Sequence, residues 1–471
     1  MNVKEFVEKV KSGEIDPVEH THKTIEKIRK INSENNYFNE ISEQLALELA
    51  SNAAKHKKGR LCGLPISAKD CICVKGVESR AGSKILSGYK PVFNATAVQR
   101  VIDEGGVIIG KTSQDAFGFG SFSVNVGVGM KIPLNPFDNT RTCGGSSGGS
   151  GGISQKADFS HVSLGESTGG SIEAPASFCG VVGVCPTYGR VSRFGLMDYG
   201  NSLDKIGPMS KTVEDAAIVY DIIGGHDPKD STSAKIGHEH VSGHLGKNVK
   251  GMKIALIKES VEEGVDEGVR KNILDAVANL ESQGAVIKKI SLPTVFGYGI
   301  PCYYLIAMSE ASTNLAKYCG MRYGADDVLE GSFNEYFTKV RSKNFSAEEK
   351  RRIIIGTFTR MAGYRDAYYL KATKIRTKII DEYKKAFKDV DCIISPTMPF
   401  VAPKFKEIEK LTPLQNYMAD IMTAGPNLAG IPHMSIPCGT DKGLPVGIML
   451  MADHFNEGKM FQASSAIERG K

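Results

Sequence analysis

The feature that most constrains this chain is a run of glycine and serine near residue 150. Residues 144–152 read GGSSGGSGG, and glycine recurs as far as about residue 188. Such a run is typical of a flexible linker, but here structured-looking sequence flanks it. The glycines that follow alternate with small apolar residues, which indicates backbone that packs closely. We therefore expect the chain to fold around this segment.

Composition and charge bound the class of protein. Hydrophobic residues make up 41% of the 471 positions and charged residues 24%, which excludes a disordered or fibrous chain. The net charge of +6 is too small and too dispersed for a surface that makes many phosphate contacts. Any nucleic acid would have to be bound with the help of a partner.

Compartment signals point to the cytoplasm. Apolar runs such as residues 446–451 are far shorter than the roughly 20 residues of a membrane span. Residues 1–17 alternate lysine and glutamate and lack the apolar core of a signal peptide. The ten cysteines include no C-x-x-C pair, so we expect reduced cysteines in the core.

The periodicity of apolar residues predicts an α/β fold. Residues 1–55 read as a helical segment, in which Pro17 begins a helix, and residues 226–251 read as a polar loop. A β-α-β unit is predicted over residues 253–287. We expect a central mixed β-sheet with helices on both faces, formed as a single domain by residues 1–471.

Short motifs around the glycines are ambiguous. A phosphate-binding loop would need a Gly-Lys-Ser/Thr ending, which this run lacks. The pattern G-x-S-x-G occurs around Ser146 and again around Ser167, as in hydrolases with a Ser-His-Asp triad. The later histidines lie in the polar loop or in undistinctive settings, so nothing further supports such a triad.

Three separated blocks together resemble the amidase signature family. They are residues 63–70 (GLPISAKD), residues 144–150 (GGSSGGS) and residues 168–176, which begin TGGSI. The resemblance implies the mixed α/β fold of that family and a Ser-cisSer-Lys triad. By the family pattern, Ser171 is the nucleophile, Ser146 the bridging serine held by a cis peptide bond, and Lys69 the base.

The chemistry agrees with that pattern. A serine that attacks an amide needs a group to take its proton and donors for the developing oxyanion. An ammonium cannot accept a proton, so Lys69 has to be uncharged. Burial favours this form, and the residues before Lys69 are mostly apolar: Leu64, Pro65, Ile66 and Ala68. The amides of residues 168–171 are the predicted oxyanion hole, because glycine permits the sharp turn that brings them together. These residues are Thr168, Gly169, Gly170 and Ser171.

Further stretches are similar to the A-subunit branch of the family, in glutamyl-tRNA(Gln) amidotransferases. They are residues 185–217, 224–233 and 309–324. This implies glutamine as substrate. It also implies two partners, a B subunit with a small C subunit, and tRNA that is reached through the partner. It implies no cofactor in this chain, with ATP and Mg²⁺ in the partner subunit, and no membrane.

The same resemblance places the glutamine-binding groups. Arg352 is expected to meet the α-carboxylate, Asp420 the α-ammonium, and Tyr303 to form a wall of the pocket. Each charge of the substrate needs such a partner, since burying it unpaired is costly.

The chain departs from the family pattern near the nucleophile. The usual G-S-D-T-G-G-S-I-R reads GESTGGSIE here, so Ser167 replaces Asp and Glu173 replaces Arg. Cys185 stands where a lysine is usual. Ser146 and Ser171 are 25 positions apart, one more than expected, and a spacing of 24 would select Ser147 as the bridging serine.

Two alternatives stay open. A free-standing amidase acting on another small amide would share all three blocks. A non-catalytic scaffold subunit would fit the altered residue Glu173 and the altered spacing.

Overall fold

One mixed β-sheet runs through the part of the chain that the computed structural model describes, residues 1–262 and 264–470. Its eleven strands are β1 (Phe38–Ile41), β2 (Pro65–Lys69), β3 (Val107–Thr112), β4 (Val162–Ser167), β5 (Val182–Cys185), β6 (Lys205–Ser210), β7 (Lys253–Ile257), β8 (Val286–Ile290), β9 (Cys392–Pro396), β10 (His433–Asp441) and β11 (Leu444–Met451). Their order is β1-β3-β2-β4-β6-β5-β10-β11-β9-β7-β8. Two parallel blocks, β3-β2-β4 and β9-β7-β8, are linked by antiparallel strands, which confirms the predicted mixed sheet.

Helices cover the sheet on both faces. They are α1 (Val3–Ser12), α2 (Pro17–Asn35), α3 (Glu43–His56), α4 (Thr96–Asp103), α5 (Gly148–Lys156), α6 (Glu173–Cys179), α7 (Val213–Ile223), α8 (Glu267–Ser282), α9 (Pro293–Asn314), α10 (Phe333–Asn344), α11 (Ala347–Arg360), α12 (Lys371–Ala386), α13 (Phe405–Ile408), α14 (Pro413–Met418), α15 (Ala424–Ala429) and α16 (Glu457–Arg469). Within β11, Met449 and Met451 pack into one apolar cluster while Ile448 and Leu450 pack into another. Successive side chains of a strand point to opposite faces, so both faces are buried.

The predicted local elements largely hold. The N-terminal segment contains α1, α2 and α3, and Asp16 caps α2 while Pro17 takes its first position. The short strand β1 between α2 and α3 was not predicted. The β-α-β unit is confirmed as β7, α8 and β8, and residues 226–251 hold only a 3₁₀ turn at Val241–His244.

The glycine run is not a linker. Its residues from Gly148 onward form the start of α5, and they are buried. A Cβ atom on Gly152 would lie 2.2 Å from the ring of Tyr37, and one on Gly149 would lie 2.5 Å from the Tyr37 carbonyl oxygen. Glycine is therefore needed here because the helix packs directly on its neighbour.

The sheet brings the predicted site residues to one edge. β2 and β4 are parallel neighbours, paired at Ala68 and Leu164, so their carboxyl ends lie side by side. Lys69 ends β2, Ser167 ends β4, and Ser171 lies in the turn from β4 to α6.

Two further predictions from the sequence, on buried cysteines and on membrane spans, can be compared with the structure. Eight of the ten cysteines are buried, as predicted for core cysteines, while Cys319 and Cys438 are half-buried. Among the described residues, no helix has both the length and the apolar character needed to cross a membrane.

Candidate active site

Lys69 lies against Ser146 in the interior of the protein. Both side chains are fully buried, and the Lys69 Nζ atom is 2.7 Å from Ser146 Oγ. The peptide bond that precedes Ser146 is cis. Ser147, the alternative that the spacing left open, instead donates through its hydroxyl to the Glu166 carbonyl at 3.0 Å. The geometry thus brings Ser146, and not Ser147, to the lysine.

A carboxylate that was not among the predicted site residues also contacts Lys69. Glu166 Oε2 lies 2.7 Å from Lys69 Nζ, and the Glu166 carbonyl accepts a second bond from it at 2.9 Å. Thr168 Oγ1 lies 2.7 Å from Glu166 Oε1 and 2.7 Å from Asp204 Oδ1. We call these four buried residues the lysine cluster: Lys69, Glu166, Thr168 and Asp204.

The two acids of the lysine cluster influence each other. Burial, together with the nearby charge of Glu166, raises the pKa of Asp204 to about 8. The signal for Glu166 was present in the sequence, because the family pattern has serine at its position.

The predicted nucleophile lies at the start of α6. Ser171 is 6% exposed, and its carbonyl accepts a hydrogen bond from the Ser147 amide at 3.1 Å. The amides of Gly170 and Ser171 donate to Ser167 Oγ at 3.2 and 3.0 Å. Two of the four amides of the predicted oxyanion hole are therefore engaged inside the fold, and the hole stays a prediction.

A second buried group lies beneath the nucleophile turn. We call it the histidine cluster: Ser167, Glu173, Lys205, Asn427 and His433. Ser167 donates to Glu173 Oε2 at 2.9 Å, and Glu173 Oε1 contacts the His433 ring. Lys205 Nζ donates to Asn427 Oδ1 at 2.7 Å.

The histidine cluster holds a charged carboxylate. Burial opposes ionisation of Glu173, but His433 and Lys205 outweigh that effect and lower its pKa to about 2. Cys185 lies beside this cluster, and burial raises the pKa of its thiol well above the usual range. The departures at positions 167, 173 and 185 thus meet in one place, which the sequence could not show.

Among the residues that the structure describes, two groups of side chains have potential metal-ligand atoms within 4.8 Å of one another. They are Glu173, Cys185 and His433, and Asp221, His238 and His240. In the first group Glu173 already contacts His433, and the nearby Lys205 ammonium repels a cation. In the second, the His240 side chain is 63% exposed. We assign no metal to either.

A small cavity joins Ser171 to the predicted glutamine-binding groups. Its lining comprises Gly118, Gly120, Gly169, Gly170, Ser171, Tyr303, Tyr304, Arg352 and Asp420. The Tyr303 ring packs on Gly169, where an added Cβ would lie 2.2 Å from the ring. A wider cavity of about 520 Å³ shares Gly120 and Arg352 with it. The structure thus brings all three predicted substrate residues to the nucleophile.

Arg352 and Asp420 are both buried in this cavity wall. Arg352 Nε donates to Glu348 at 2.8 Å, and its Nη1 donates to the Tyr199 hydroxyl at 2.5 Å. Asp420 accepts a hydrogen bond from the Tyr304 hydroxyl at 2.6 Å. Burial raises the pKa of Asp420 to about 6, although the Tyr304 bond opposes the shift. A cation and a carboxylate therefore face one cavity.

Comparison with known proteins identifies the family. The family model described as Amidase matches residues 19–461. The A subunit of the glutamyl-tRNA(Gln) amidotransferase from Carboxydothermus hydrogenoformans is 44% identical over 476 residues, which cover 100% of this chain and 97% of the relative. Its counterpart from Microcystis aeruginosa is 48% identical and covers 87% of this chain and 84% of the relative.

A solved structure gives the same result. The crystal structure of the A subunit of glutamyl-tRNA(Gln) amidotransferase from Thermotoga maritima superposes with a TM-score of 0.76 at 38% identity, over 90% of each chain. Family model, full-length relatives and fold agree, and the chain belongs to the amidase family.

Proposed function

We propose that this chain is the glutamine-hydrolysing subunit of an aminoacyl-tRNA amidotransferase that converts Glu-tRNA(Gln) to Gln-tRNA(Gln). One observation carries the proposal: Ser171, Arg352 and Asp420 line a single cavity, in a fold that also buries Lys69 with its Nζ atom 2.7 Å from Ser146 Oγ. The names of the full-length relatives support the same activity.

In the proposed reaction, Ser171 attacks the side-chain amide of glutamine. Its proton passes through Ser146 to Lys69, and the same route returns a proton to the departing ammonia. Amides of residues 168–171 stabilise the oxyanion, and those of Gly170 and Ser171 leave Ser167 Oγ to do so. Water then hydrolyses the glutamyl ester on Ser171.

The cavity supplies the charges that free glutamine requires. Arg352 pairs with the α-carboxylate, Asp420 pairs with the α-ammonium, and Tyr303 closes the wall over Gly169. Small amides that lack these two charges would bring no opposite charge to Arg352 or Asp420, which favours glutamine over the alternative of a general amidase.

The remaining parts of the proposal concern the assembly. We infer that residues 1–471 act as one domain, because strands between residues 38 and 451 share a single sheet. Ammonia passes to a B subunit that binds tRNA and uses ATP and Mg²⁺, a small C subunit joins the complex, and this chain needs no cofactor of its own. The proposed compartment is the cytoplasm.

The experiment is a glutaminase assay on the purified complex. We expect Ser171→Ala to lower the rate of ammonia release at least about a thousandfold while the chain stays folded and bound to its partner. Ser147→Ala is the matched control and should retain most of the activity. Full activity in Ser171→Ala would refute the proposal.

A further inference from the structure

The lysine cluster forms an unbroken chain of hydrogen bonds. It runs from Ser146 to Lys69, from Lys69 to Glu166 Oε2, and from Glu166 Oε1 through Thr168 Oγ1 to Asp204 Oδ1. Each of these four contacts is 2.7 Å long. All five side chains are at most 3% exposed, so bulk water does not compete for these protons.

Counting hydrogens on Thr168 gives the protonation of the two acids. Its hydroxyl has a single hydrogen, yet it lies 2.7 Å from a carboxyl oxygen of Glu166 and 2.7 Å from one of Asp204. One of these contacts can be a bond that Thr168 donates. The other needs a hydrogen on the acid, because two oxygens at this distance without one repel each other. The geometry therefore requires one proton on the Glu166–Asp204 pair.

That proton can lie at either end. Asp204 as a carboxylate is stabilised by the amides of Tyr199 and Gly200, which donate to it at 2.9 and 3.0 Å. Glu166 as a carboxylate is stabilised by the ammonium form of Lys69, 2.7 Å away. The raised pKa of Asp204, about 8, agrees with a proton held by the pair at neutral pH.

The contacts of Lys69 fit both its amine form and its ammonium form. As an amine it has two hydrogens, which fit the Glu166 carbonyl and Oε2, and a lone pair that faces the Ser146 hydroxyl. As an ammonium it donates to all three. When the acid proton lies on Asp204, the Glu166 carboxylate favours the ammonium form of Lys69. When the proton lies on Glu166, that side chain is neutral and the amine form of Lys69 is favoured.

We propose that Glu166, Thr168 and Asp204 form a proton relay that switches the charge beside Lys69 during each turnover. Glu166 and its relay act through the base, so they are positioning residues. The proposal rests on the proposed function, in which Lys69 accepts the proton of the nucleophile.

The step balances in protons and charge. Ser171 gives its proton to Ser146 as its oxygen bonds to the amide carbon, and Ser146 gives its own proton to Lys69. Glu166 Oε1 gives a proton to Thr168, and Thr168 gives its own to Asp204. Lys69 becomes positive, Glu166 negative and Asp204 neutral, and the oxyanion carries the one net negative charge that Asp204 carried before the step.

Other titratable or charged groups face the relay. They are Cys71, Asp115, Tyr188 and Arg193, and Cys71 in turn faces Asp70 and Lys111. The variants below leave them unchanged, so shifts between variants report on the relay.

The test is the pH profile of kcat/KM for glutamine hydrolysis by the intact complex. At low pH, kcat/KM falls as Lys69 becomes an ammonium, and this fall is the acid limb of the profile. In Glu166→Gln no carboxylate stabilises the ammonium, so the acid limb should move to lower pH by about one unit. That shift is a tenfold change in rate on the limb. In Asp204→Asn the new side-chain amide can donate to Thr168, and Thr168 then donates to Glu166, which needs no proton of its own and stays ionised. The acid limb should therefore move to higher pH by a similar amount. Opposite shifts from two isosteric changes are the expected result.

Controls separate the relay from a structural role. Thr168→Ser keeps the hydroxyl and should keep the wild-type limb, and Asp215→Asn removes another buried carboxyl, which lies between α1 and α7, and should not move it. Limbs that stay at the wild-type position in both Glu166→Gln and Asp204→Asn would overturn the relay. If Lys69→Ala kept full activity, the proposed function itself would fail.

A measurement on the wild-type complex needs no variant. Two protons move between Ser171 and Lys69 without the relay, and the relay adds two more. The hydrolysis rate in mixtures of H₂O and D₂O should therefore depend on the deuterium fraction with a curvature greater than two protons produce. A straight line, or a curvature no greater than two protons produce, would contradict the relay.

Discussion

Two neighbouring residues at the end of β4 serve two different buried clusters. Glu166 belongs to the lysine cluster and Ser167 to the histidine cluster, because successive side chains of a strand point to opposite faces. The same alternation recurs where β6 begins: Asp204 belongs to the lysine cluster and Lys205 to the histidine cluster. The proposed nucleophile, Ser171, follows β4 by only four residues.

The clusters differ in how firmly their charges are fixed. In the histidine cluster, His433 and Lys205 keep Glu173 ionised and lower its pKa to about 2. In the lysine cluster, two acids compete for one proton, and the pKa of Asp204 is raised to about 8. A group that stays charged suits structural support, whereas a group near its titration point at neutral pH suits proton transfer.

The largest effect is expected from the lysine cluster. Lys69→Ala should lower kcat/KM about a thousandfold, because the proton of Ser171 loses its acceptor. Lys205→Met is the counterpart in the histidine cluster and should lower stability while leaving kcat/KM far closer to the wild-type value. Steady-state ammonia release measures kcat/KM and urea unfolding measures stability. Equal losses of kcat/KM in the two variants would show that the clusters do not differ in function.

Substitutions in the histidine cluster should instead lower the free energy of unfolding. Glu173→Gln removes a buried charge that His433 and Lys205 face, so the free energy of unfolding should fall by about 3 kcal/mol. Glu457→Gln alters another buried carboxylate, 3.6 Å from Arg190, and is the matched control for stability loss away from the site. Urea unfolding at pH 7 is the measurement, and an unchanged midpoint for Glu173→Gln would contradict the assignment.

The two clusters should also give stability opposite dependences on pH. Asp204 binds its proton more tightly when folded, so its contribution is complete below 3.8, the ordinary pKa of an aspartate, and is lost as the pH rises through about 8. Glu173 is the reverse case: its contribution is present above 4.5, the ordinary pKa of a glutamate, and is lost as the pH falls through about 2.

Unfolding between pH 6 and 9 tests the first half of this contrast. Wild-type stability should fall by about 2 kcal/mol over that range, and Asp204→Asn should flatten the curve. Glu173→Gln should leave this alkaline slope unchanged. A wild-type curve as flat as that of Asp204→Asn would show that the Glu166–Asp204 pair does not hold the proton.

The smallest effect is expected at Ser167. Ser167→Ala leaves the buried amides of Gly170 and Ser171 without their acceptor, which should cost about 1 kcal/mol of stability and lower kcat several-fold. Ser167→Thr retains the hydroxyl and should recover both values. Thermal unfolding and initial rates would show whether that rescue occurs.

The inverted charge next to the nucleophile now has a physical explanation. Where the family pattern has Asp and Arg, this chain has Ser167 and Glu173, and the negative charge of Glu173 meets His433 and Lys205. Neither partner is near in sequence to position 173, so the compensation was invisible before the fold was known.

The sequence predicted those parts of the protein that local pattern encodes. The β-α-β unit follows from apolar spacing, the helix α2 from its cap at Asp16 and Pro17, and the candidates Lys69 and Ser171 from motif order. It did not predict β1, because a four-residue strand shows too little periodicity to be recognised. It indicated that the glycine run packs closely, but only the contact with Tyr37 shows why glycine is needed there.

By itself, then, the sequence determined the fold class, the nucleophile candidate and the lysine candidate, because each depends on residues close together or on blocks in a fixed order. The tertiary structure alone decided that Ser146 rather than Ser147 faces Lys69, and that Glu166 lies between that lysine and Asp204. The physical reason is that buried charges act over a few ångströms, and which charges come that close is set by the pairing of strands far apart in the chain.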